Sequence, residues 1–139
     1  TFLAMAGLNR LGMEDVPKTA IPTDEMLNAV AQGAIGIERR TDDTRAGDML
    51  AAIHDRDTGL CLAAERAFLG ALDGSCETPI AGLAVLNGDH LTLKGEILRT
   101  DGSEALADQL SGPAAEGPAL GRQLAQSLLA RAGDGFFDG

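Results

Sequence analysis

The sequence predicts an α+β fold in which helices cover one face of a three-stranded antiparallel sheet. Residues 80–110 alternate apolar and polar side chains, and two hairpin signals, Asn87-Gly88 and Asp101-Gly102, divide them into three strands. On each side of this region, apolar residues recur at helical spacing in a segment that a glycine ends. Helices that bury such stripes on the apolar face of a sheet form a two-layer domain.

The first helical segment spans residues 57–73. Asp57 and Thr58 have side-chain oxygens suited to capping its first turn. Gly74 suits the left-handed residue that closes a helix, and Cys76 follows in a short loop before extended chain begins. The apolar stripe consists of Leu60, Ala64, Ala67, Phe68, Ala71 and Leu72. The pattern therefore predicts a thiol on a short tether between two packed elements.

The second helical segment spans residues 116–131 and stops at Gly133. Its apolar residues Leu120, Leu124 and Leu128 recur every four positions, as expected for a helix with one buried face. Gly112-Pro113 is predicted to break the sheet just before it. The tail from residue 134 to 139 is predicted to be loose, except that Phe136-Phe137 could pack against another surface.

The first 43 residues predict less regular structure. Residues 1–13 indicate the end of a buried strand followed by a short helix, and Ala34–Glu38 is predicted to be a strand. A helix capped by residues 42–44 follows and stops near His54-Asp55. Because the strand has no evident partner nearby, we expect a fragment in which it packs irregularly or pairs with another molecule.

Composition excludes several classes of function. The net charge of −10 argues against nucleic acid as a partner, because phosphate binding needs a basic face. No apolar run approaches the ~20 residues of a membrane helix, and these residues do not show the signal-peptide pattern of a basic start and an apolar centre, so we expect a cytoplasmic protein that binds no membrane.

The cysteines and histidines predict no metal site. The two cysteines form no CxxC pair, and two histidines are too few for a usual zinc set. Cys61 falls early in the first helix, where a small buried apolar role is expected. A disulfide between Cys61 and Cys76 is not expected in a reducing compartment.

These patterns alone do not name a reaction. Arg10 fits either an exposed helix charge or a guanidinium that binds an anion. The chain as a whole fits a binding or oligomerisation module in which Cys76 is incidental. A cysteine hydrolase is a poor fit, because His54 and His90 lie at a helix end and in a hairpin without the pattern of a catalytic base.

Four blocks of sequence carry a resemblance to a known family. AGLNRLGM (6–13), AQGAIGIERRTDD (31–43), AERAFLGALDGSC (64–76) and TPIAG (78–82) resemble, in order and spacing, the carboxyl-terminal part of the porphobilinogen deaminases, also called hydroxymethylbilane synthases. The resemblance implies that residues 1–47 are a remnant of two amino-terminal α/β catalytic domains. It implies that residues 48–139 are the carboxyl-terminal α+β domain that carries the cofactor cysteine.

The resemblance also implies a reaction and a set of site residues. Family members condense four porphobilinogen molecules head to tail onto a dipyrromethane cofactor and release hydroxymethylbilane for tetrapyrrole and haem biosynthesis. Cys76 would carry this cofactor through a thioether, with Gln32 and Gly33 lining the cleft around it. Arg10 would bind the carboxylates of substrate and growing oligopyrrole, since guanidinium groups match carboxylates bidentately.

The same resemblance places the family's catalytic aspartate outside these 139 residues. It therefore predicts no catalytic residue here, an inactive fragment that could self-associate, and a full-length enzyme that is a monomer.

Three positions depart from the family pattern. Where Gly-Gly-Cys-Gln is common, residues 74–77 are Gly-Ser-Cys-Glu, and Ala31 stands where glycine is usual. Asp73, Glu77 and the preceding helix C-terminus all disfavour a thiolate at Cys76. Single attachment to a strongly electrophilic azafulvene tolerates this environment, whereas a cysteine hydrolase needs a persistently activated thiol.

Overall fold

The computed structural model describes residues 1–73 and 78–138. Its described elements are the helices α1 (Met5–Arg10), α2 (Thr44–Ala51), α3 (Arg56–Ala71) and α4 (Gly117–Ala132), a 3₁₀ turn (Ala114–Glu116), and the strands β1 (Ile80–Asn87), β2 (His90–Leu98) and β3 (Ala105–Pro113). The strands form one antiparallel sheet in the order β1-β2-β3. The predicted α+β class with a three-stranded antiparallel sheet is therefore confirmed.

The first hairpin turns one residue later than predicted. Asn87 pairs with His90, so Gly88 and Asp89, rather than Asn87 and Gly88, form the two-residue loop. Gly88 has a φ of 62°, the left-handed value that a type II′ turn assigns to glycine at its first central position. Asn87 is therefore the last residue of β1.

The second connection is longer than a tight hairpin. Leu98 pairs with Ala105, and the loop between them is closed by the Arg99 amide, which donates to the Glu104 carbonyl at 2.9 Å. Gly102 takes the left-handed conformation there, with a φ of 73°. Strand β3 includes Gly112 and ends at Pro113, so the sheet ends at the predicted Gly112-Pro113 break. Proline is tolerated as the last residue of the strand because β3 is an edge strand.

The core lies between the sheet and the two long helices. Leu91, Leu93 and Ile97 of β2 are fully buried, whereas the polar residues 92, 94 and 96 on the opposite face are only half-buried, as the predicted alternation requires. Their partners across the layer are Ala64 and Phe68 of α3, Leu72 at the C-cap of α3, and Leu120, Leu124, Ala125 and Leu128 of α4. Both predicted helical stripes therefore cover the same face of the sheet.

Two glycines allow this close packing. A Cβ at Gly121 of α4 would collide with the carbonyl oxygen of Ala64 and lie 2.8 Å from the Phe68 amide nitrogen. A Cβ at Gly95 of β2 would lie 2.6 Å from the Phe68 ring. Because Gly121 has no side chain, the backbones of α3 and α4 can approach each other closely. Because Gly95 has none, the Phe68 ring can pack directly on the backbone of β2.

Helix α3 begins two residues earlier than predicted. Asp55 is its N-cap, and the Asp55 carboxylate accepts a hydrogen bond of 2.7 Å from the Thr58 amide. Asp57 instead lies in the first turn, where its charge suits the positive end of the helix dipole. The backbone and side-chain hydrogen bonds from Thr58 lower the pKa of Asp55.

Replacing the Asp55 cap is expected to destabilise the chain in a pH-dependent way. Asp55→Ala should lower Tm by roughly a few degrees at neutral pH, whereas Asp55→Asn should retain most of the cap. Because the folded-state pKa is lowered, the carboxylate contribution is complete above about pH 4 and is lost as pH falls through the lower folded value. Thermal unfolding from neutral to acidic pH checks this: the stability gap between wild type and Asp55→Asn should narrow below about pH 4. A gap that stays constant with pH would contradict the assignment.

The carboxyl-terminal tail packs against the core through its two phenylalanines. Phe136 is buried in the core, and its ring packs edge-to-face with the Phe137 ring, with 5.4 Å between the centroids. The Arg99 guanidinium lies 4.7 Å from the centroid of the Phe136 ring. The expectation that Phe136-Phe137 would pack against another surface is therefore confirmed for both rings, since aromatic side chains bury large apolar areas.

The amino-terminal third has little regular structure. Residues 34–38 form no strand, so that prediction is wrong, and Ile35 is 93% exposed. Residues 1–4 are exposed and likewise form no strand. Within the described residues no neighbouring strand offers these segments a ladder of hydrogen bonds, which an extended segment needs to become a strand. Across the described part of the chain, no helix is long and apolar enough to span a membrane.

Candidate functional site

A turn of the amino-terminal third lies along the free edge of the sheet. The Gly82 amide of β1 donates a hydrogen bond of 3.1 Å to the Asn28 carbonyl. Two residues further along the same edge, the Ala84 amide donates to the Glu65 carboxylate at 2.8 Å. Since β2 is the only strand that pairs with β1 among the described residues, these outward amides would otherwise lack protein partners there. Residue 28 and Glu65 thus cap the edge of the sheet.

The glycine at position 82 lets the turn approach the strand closely. A Cβ there would lie 3.2 Å from a methyl group of Val30 and 3.4 Å from the Phe68 ring. Val30 itself packs against the core of the domain. The backbone of residues 28–31 is therefore held by apolar packing as well as by hydrogen bonds.

Glu65 joins the turn to helix α3. One carboxylate oxygen accepts the Ala84 hydrogen bond, and the other accepts a hydrogen bond of 2.8 Å from the Ala31 amide. Glu65 is only 5% exposed, and it is the one charged side chain buried among the described residues. A buried carboxylate is stable only when its oxygens are hydrogen-bonded, and both of these oxygens are.

Glu65 is not among the predicted site residues, although the sequence carries a signal for its burial. Cys61, Glu65, Phe68 and Leu72 follow each other at spacings of three and four, so the carboxylate falls on the buried face of α3. A charge at such a position indicates a buried polar contact rather than a solvated one.

The turn presents the two predicted cleft residues at the surface. Ala31 and Gly33 both have left-handed backbones, with φ values of 63° and 80°, and the exposed Gln32 lies between them. The turn is closed by the Gln32 amide donating to the Ala29 carbonyl at 3.1 Å and the Ala34 amide donating to the Ala31 carbonyl at 3.2 Å. The structure thus brings Gln32 and Gly33 together on one anchored turn.

An open groove of about 710 Å³ begins at this turn. Gly33, Ala34 and Ile35 form one wall, and the other walls come from α2 and the first turns of α3, including Leu50 and Leu62. The lining is mainly apolar, and His54, Asp55 and Thr58 add polar groups near the α3 N-terminus. Gln32 and Arg10 do not line this groove.

Arg10 is not brought to the turn by any contact in the described structure. It is exposed in the last turn of α1, and no carboxylate of the described residues lies within ion-pair distance of it. Arg39, by contrast, donates to the carbonyls of Arg40, Thr41 and Asp43 and so braces the start of α2. The Arg10 guanidinium is thus available for an external anion, whereas the Arg39 guanidinium is used in hydrogen bonds that stabilise the segment before α2.

Cys76 lies outside the described residues, as do Gly74, Ser75 and Glu77. The structure does describe the elements on either side of this stretch. Helix α3 ends at Ala71, Asp73 follows with a left-handed φ of 52°, and β1 starts at Ile80. The predicted role of Gly74 as the closing residue is therefore untested.

The described cysteine, Cys61, is a poor nucleophile. It is half-buried in the second turn of α3, and burial raises the pKa of its thiol, with the nearby charges of Glu65 and Asp57 adding to the effect. A raised pKa keeps the thiol protonated and unreactive at neutral pH. No group of three or more potential metal ligands is assembled within residues 1–73 and 78–138.

Two family models match this chain. One, described as "Porphobilinogen deaminase, C-terminal domain", matches residues 59–130, which include most of α3, the whole sheet and most of α4. The other, described as "Porphobilinogen deaminase, dipyromethane cofactor binding domain", matches residues 1–48, which include the Ala31–Gly33 turn.

The chain belongs to the porphobilinogen deaminase family.

Curated relatives named porphobilinogen deaminase are similar over nearly the whole chain. The protein of Paracoccus denitrificans (strain Pd 1222) is 63% identical over 99% of this chain and 44% of its own length. Those of Nitrobacter hamburgensis and Nitrobacter winogradskyi are 47% and 48% identical, each over 99% of this chain and 43% of the relative. The chain thus spans less than half the length of these relatives.

Family membership confirms the predicted resemblance. The predicted cofactor class, dipyrromethane, is also confirmed, because the family model that matches residues 1–48 is named for binding this cofactor. The usual family glycine at position 31 also has a structural reason, since the backbone there is left-handed and glycine adopts that conformation without strain. The roles of Cys76, Gln32, Gly33 and Arg10, and the domain division between residues 47 and 48, remain predictions.

Proposed function

We propose that this chain is the carboxyl-terminal part of a hydroxymethylbilane synthase. The complete cytoplasmic enzyme would join four porphobilinogen molecules head to tail on a dipyrromethane cofactor. The observation that carries the proposal is the anchored Ala31–Gly33 turn. Hydrogen bonds through Glu65 and Gly82 attach this turn to α3 and β1, the two elements that flank the cofactor cysteine, Cys76, in the sequence.

The residues present fit an anionic oligopyrrole. Dipyrromethane and porphobilinogen carry acetate and propionate groups. A site that binds these carboxylates needs hydrogen-bond donors and positive charge. Gln32 is exposed, a Cβ at Gly33 would meet no other atom within 4 Å, and Arg10 has no carboxylate partner among the described residues. Guanidinium binds such carboxylates bidentately, and an exposed backbone at a left-handed glycine lets a flat ligand approach closely.

Each residue has a distinct part in the proposed mechanism. The sulfur of Cys76 would hold the cofactor covalently and so keep the lengthening chain on the enzyme between additions. Arg10 pairs with carboxylates of the substrate or the lengthening chain, and Gln32 orients a pyrrole through its side-chain amide. When bound, the dipyrromethane supplies the terminal pyrrole ring to which substrate is joined.

The chain alone does not hold all the positive charge that such a product requires. Each added pyrrole brings two carboxylates, whereas this chain has a net charge of −10. Among its described basic residues, Arg56, Arg99 and Arg131 are already paired with aspartate or glutamate. The proposal therefore assigns the catalytic aspartate and most of the carboxylate-binding cations to the rest of the full-length protein.

The 139-residue chain alone is accordingly expected to have no turnover, whereas the full-length protein should consume porphobilinogen. Colorimetric measurement of porphobilinogen loss, with intact mass spectrometry to detect a retained dipyrromethane, checks both parts. Clear turnover by the isolated chain would contradict the assignment of the catalytic residue. Absence of both turnover and adduct in the full-length protein would overturn the proposed function.

One observation favours a second candidate, a module that binds or self-associates. Many large apolar side chains of residues 1–53 are exposed in this chain, among them Phe2, Leu3, Leu11, Ile35 and Ile53. Exposed apolar surface of this extent is typical of a contact with further protein. A full-length protein that forms stable oligomers and carries no pyrrole adduct would support this alternative.

A further inference from the structure

The Glu65 carboxylate is a bridge between main-chain groups that lie far apart in the sequence. Its two oxygens each accept a hydrogen bond of 2.8 Å, one from the Ala31 amide, 34 residues away, and one from the Ala84 amide, 19 residues away. Among the described residues no lysine or arginine forms an ion pair with Glu65. The carboxylate is therefore dedicated to fixing the turn against the strand.

The turn needs an external restraint at this point. Ala31 has a left-handed φ of 63°, which is unfavourable for a residue with a Cβ, and Gly33 is left-handed as well. The other hydrogen bonds within the turn link residues that are only three apart, so they close it without attaching it to the domain. The bond from Ala31 to Glu65 is the attachment nearest to Gln32.

We infer that Glu65 is a positioning residue for the cofactor cleft: it holds the Ala31–Gly33 turn on the cysteine-bearing domain and so sets where Gln32 and Gly33 stand. The inference rests on the proposed function for its catalytic consequence. Its structural consequence, restraint of the turn, is measurable without any activity. Glu65 itself touches neither substrate nor cofactor in this scheme.

Glu65→Gln tests the inference with little change in shape. A glutamine has one acceptor oxygen, so it can satisfy only one of the two amides, and its own NH₂ group would face the other. Ala84 belongs to a sheet strand that pairs with β2, whereas Ala31 lies in a turn. We expect the glutamine oxygen to keep the hydrogen bond from the Ala84 amide. The Ala31 amide would then lose its partner, and the Ala31–Gly33 turn would detach from α3.

The measurements use full-length protein with Cys76 intact. Hydrogen exchange should be about tenfold faster at the Ala31 amide, as expected from loss of one charge-assisted hydrogen bond, and nearly unchanged at the Ala84 amide. In steady-state kinetics, kcat should fall by about tenfold or more, because a displaced cleft wall misaligns the reacting groups, while KM changes much less. A purely structural role would lower the amount of folded enzyme without this exchange pattern.

Two further variants complete the experiment. Glu116→Gln removes the same charge from an exposed side chain that makes no capping hydrogen bond, and it should behave as wild type. Ala31→Gly added to Glu65→Gln should restore part of kcat, because glycine adopts the left-handed backbone without the restraint.

The outcomes separate this inference from the proposed function. If wild type is active and Glu65→Gln matches it in both Ala31 exchange and kcat, the positioning role is wrong. If Ala84 rather than Ala31 loses protection, or kcat falls only with the folded fraction and Ala31→Gly restores none of it, the role is also wrong. If wild type has no activity but Ala31 exchange responds as expected, the restraint stands and the proposed function fails.

Discussion

Full-length protein carrying Cys76→Ser is expected to show no porphobilinogen consumption above background and no dipyrromethane adduct. A thiol attacks carbon electrophiles far more readily than a hydroxyl at neutral pH, so serine should not form the corresponding ether linkage. Without a covalent anchor, the first condensation has no retained acceptor. The assay is porphobilinogen loss combined with intact mass, which reports attachment independently of turnover.

Cys61→Ser is the matched control for this experiment. Cys61 is half-buried in α3, and burial together with Glu65 and Asp57 raises the pKa of its thiol. It should therefore carry no cofactor, and its serine variant should keep both the adduct and the activity. Normal turnover after Cys76→Ser, or loss of the adduct only after Cys61→Ser, would refute the assignment of the attachment site.

Phe68→Ala is expected to destabilise the 139-residue chain by about 3–5 kcal/mol. The Phe68 ring is fully buried between α3 and the sheet, and the missing side chain at Gly95 leaves the space that it fills. Truncation would leave a cavity bounded by β2 and α4, which cannot close without moving the sheet toward the helices. Urea or thermal denaturation followed by circular dichroism measures the change in the free energy of unfolding.

Phe2→Ala makes the same chemical change at a site that is 76% exposed, so its effect on the same chain should be within about 0.5 kcal/mol. If the two variants lost similar stability, the buried position of Phe68 would not be the cause. A loss below about 1 kcal/mol for Phe68→Ala would contradict the described packing.

Much of the carboxyl-terminal domain could be predicted because its signals are local. The alternation in β2 and the four-residue spacing of Leu120, Leu124 and Leu128 report which face of an element is buried. Element ends were less accurate, since several nearby residues can serve the same capping role. Asp55 rather than Asp57 caps α3, and the hairpin turns at Gly88-Asp89 rather than one residue earlier.

The candidate site was predicted unevenly. The resemblance of residues 31–43 to the family predicted Gln32 and Gly33 as cleft residues, and the structure places both in one turn. Glu65 was missed because a glutamate on a helix is usually exposed, and nothing within α3 indicates which amides it binds. Cys76 could be selected from the sequence by its surrounding block, but it lies outside the described residues.

The order of amino acids alone specified the periodic elements, the α+β class and the family, because helices, hairpins and sequence blocks depend on neighbours along the chain. Only the folded arrangement decided that residues 34–38 form no strand, that Phe136 enters the core, and that Glu65 ties the turn to the sheet edge. Each of these outcomes depends on hydrogen-bond partners or apolar surfaces from distant parts of the chain. A local pattern cannot identify such partners, because it carries no information on which distant groups packing will bring together.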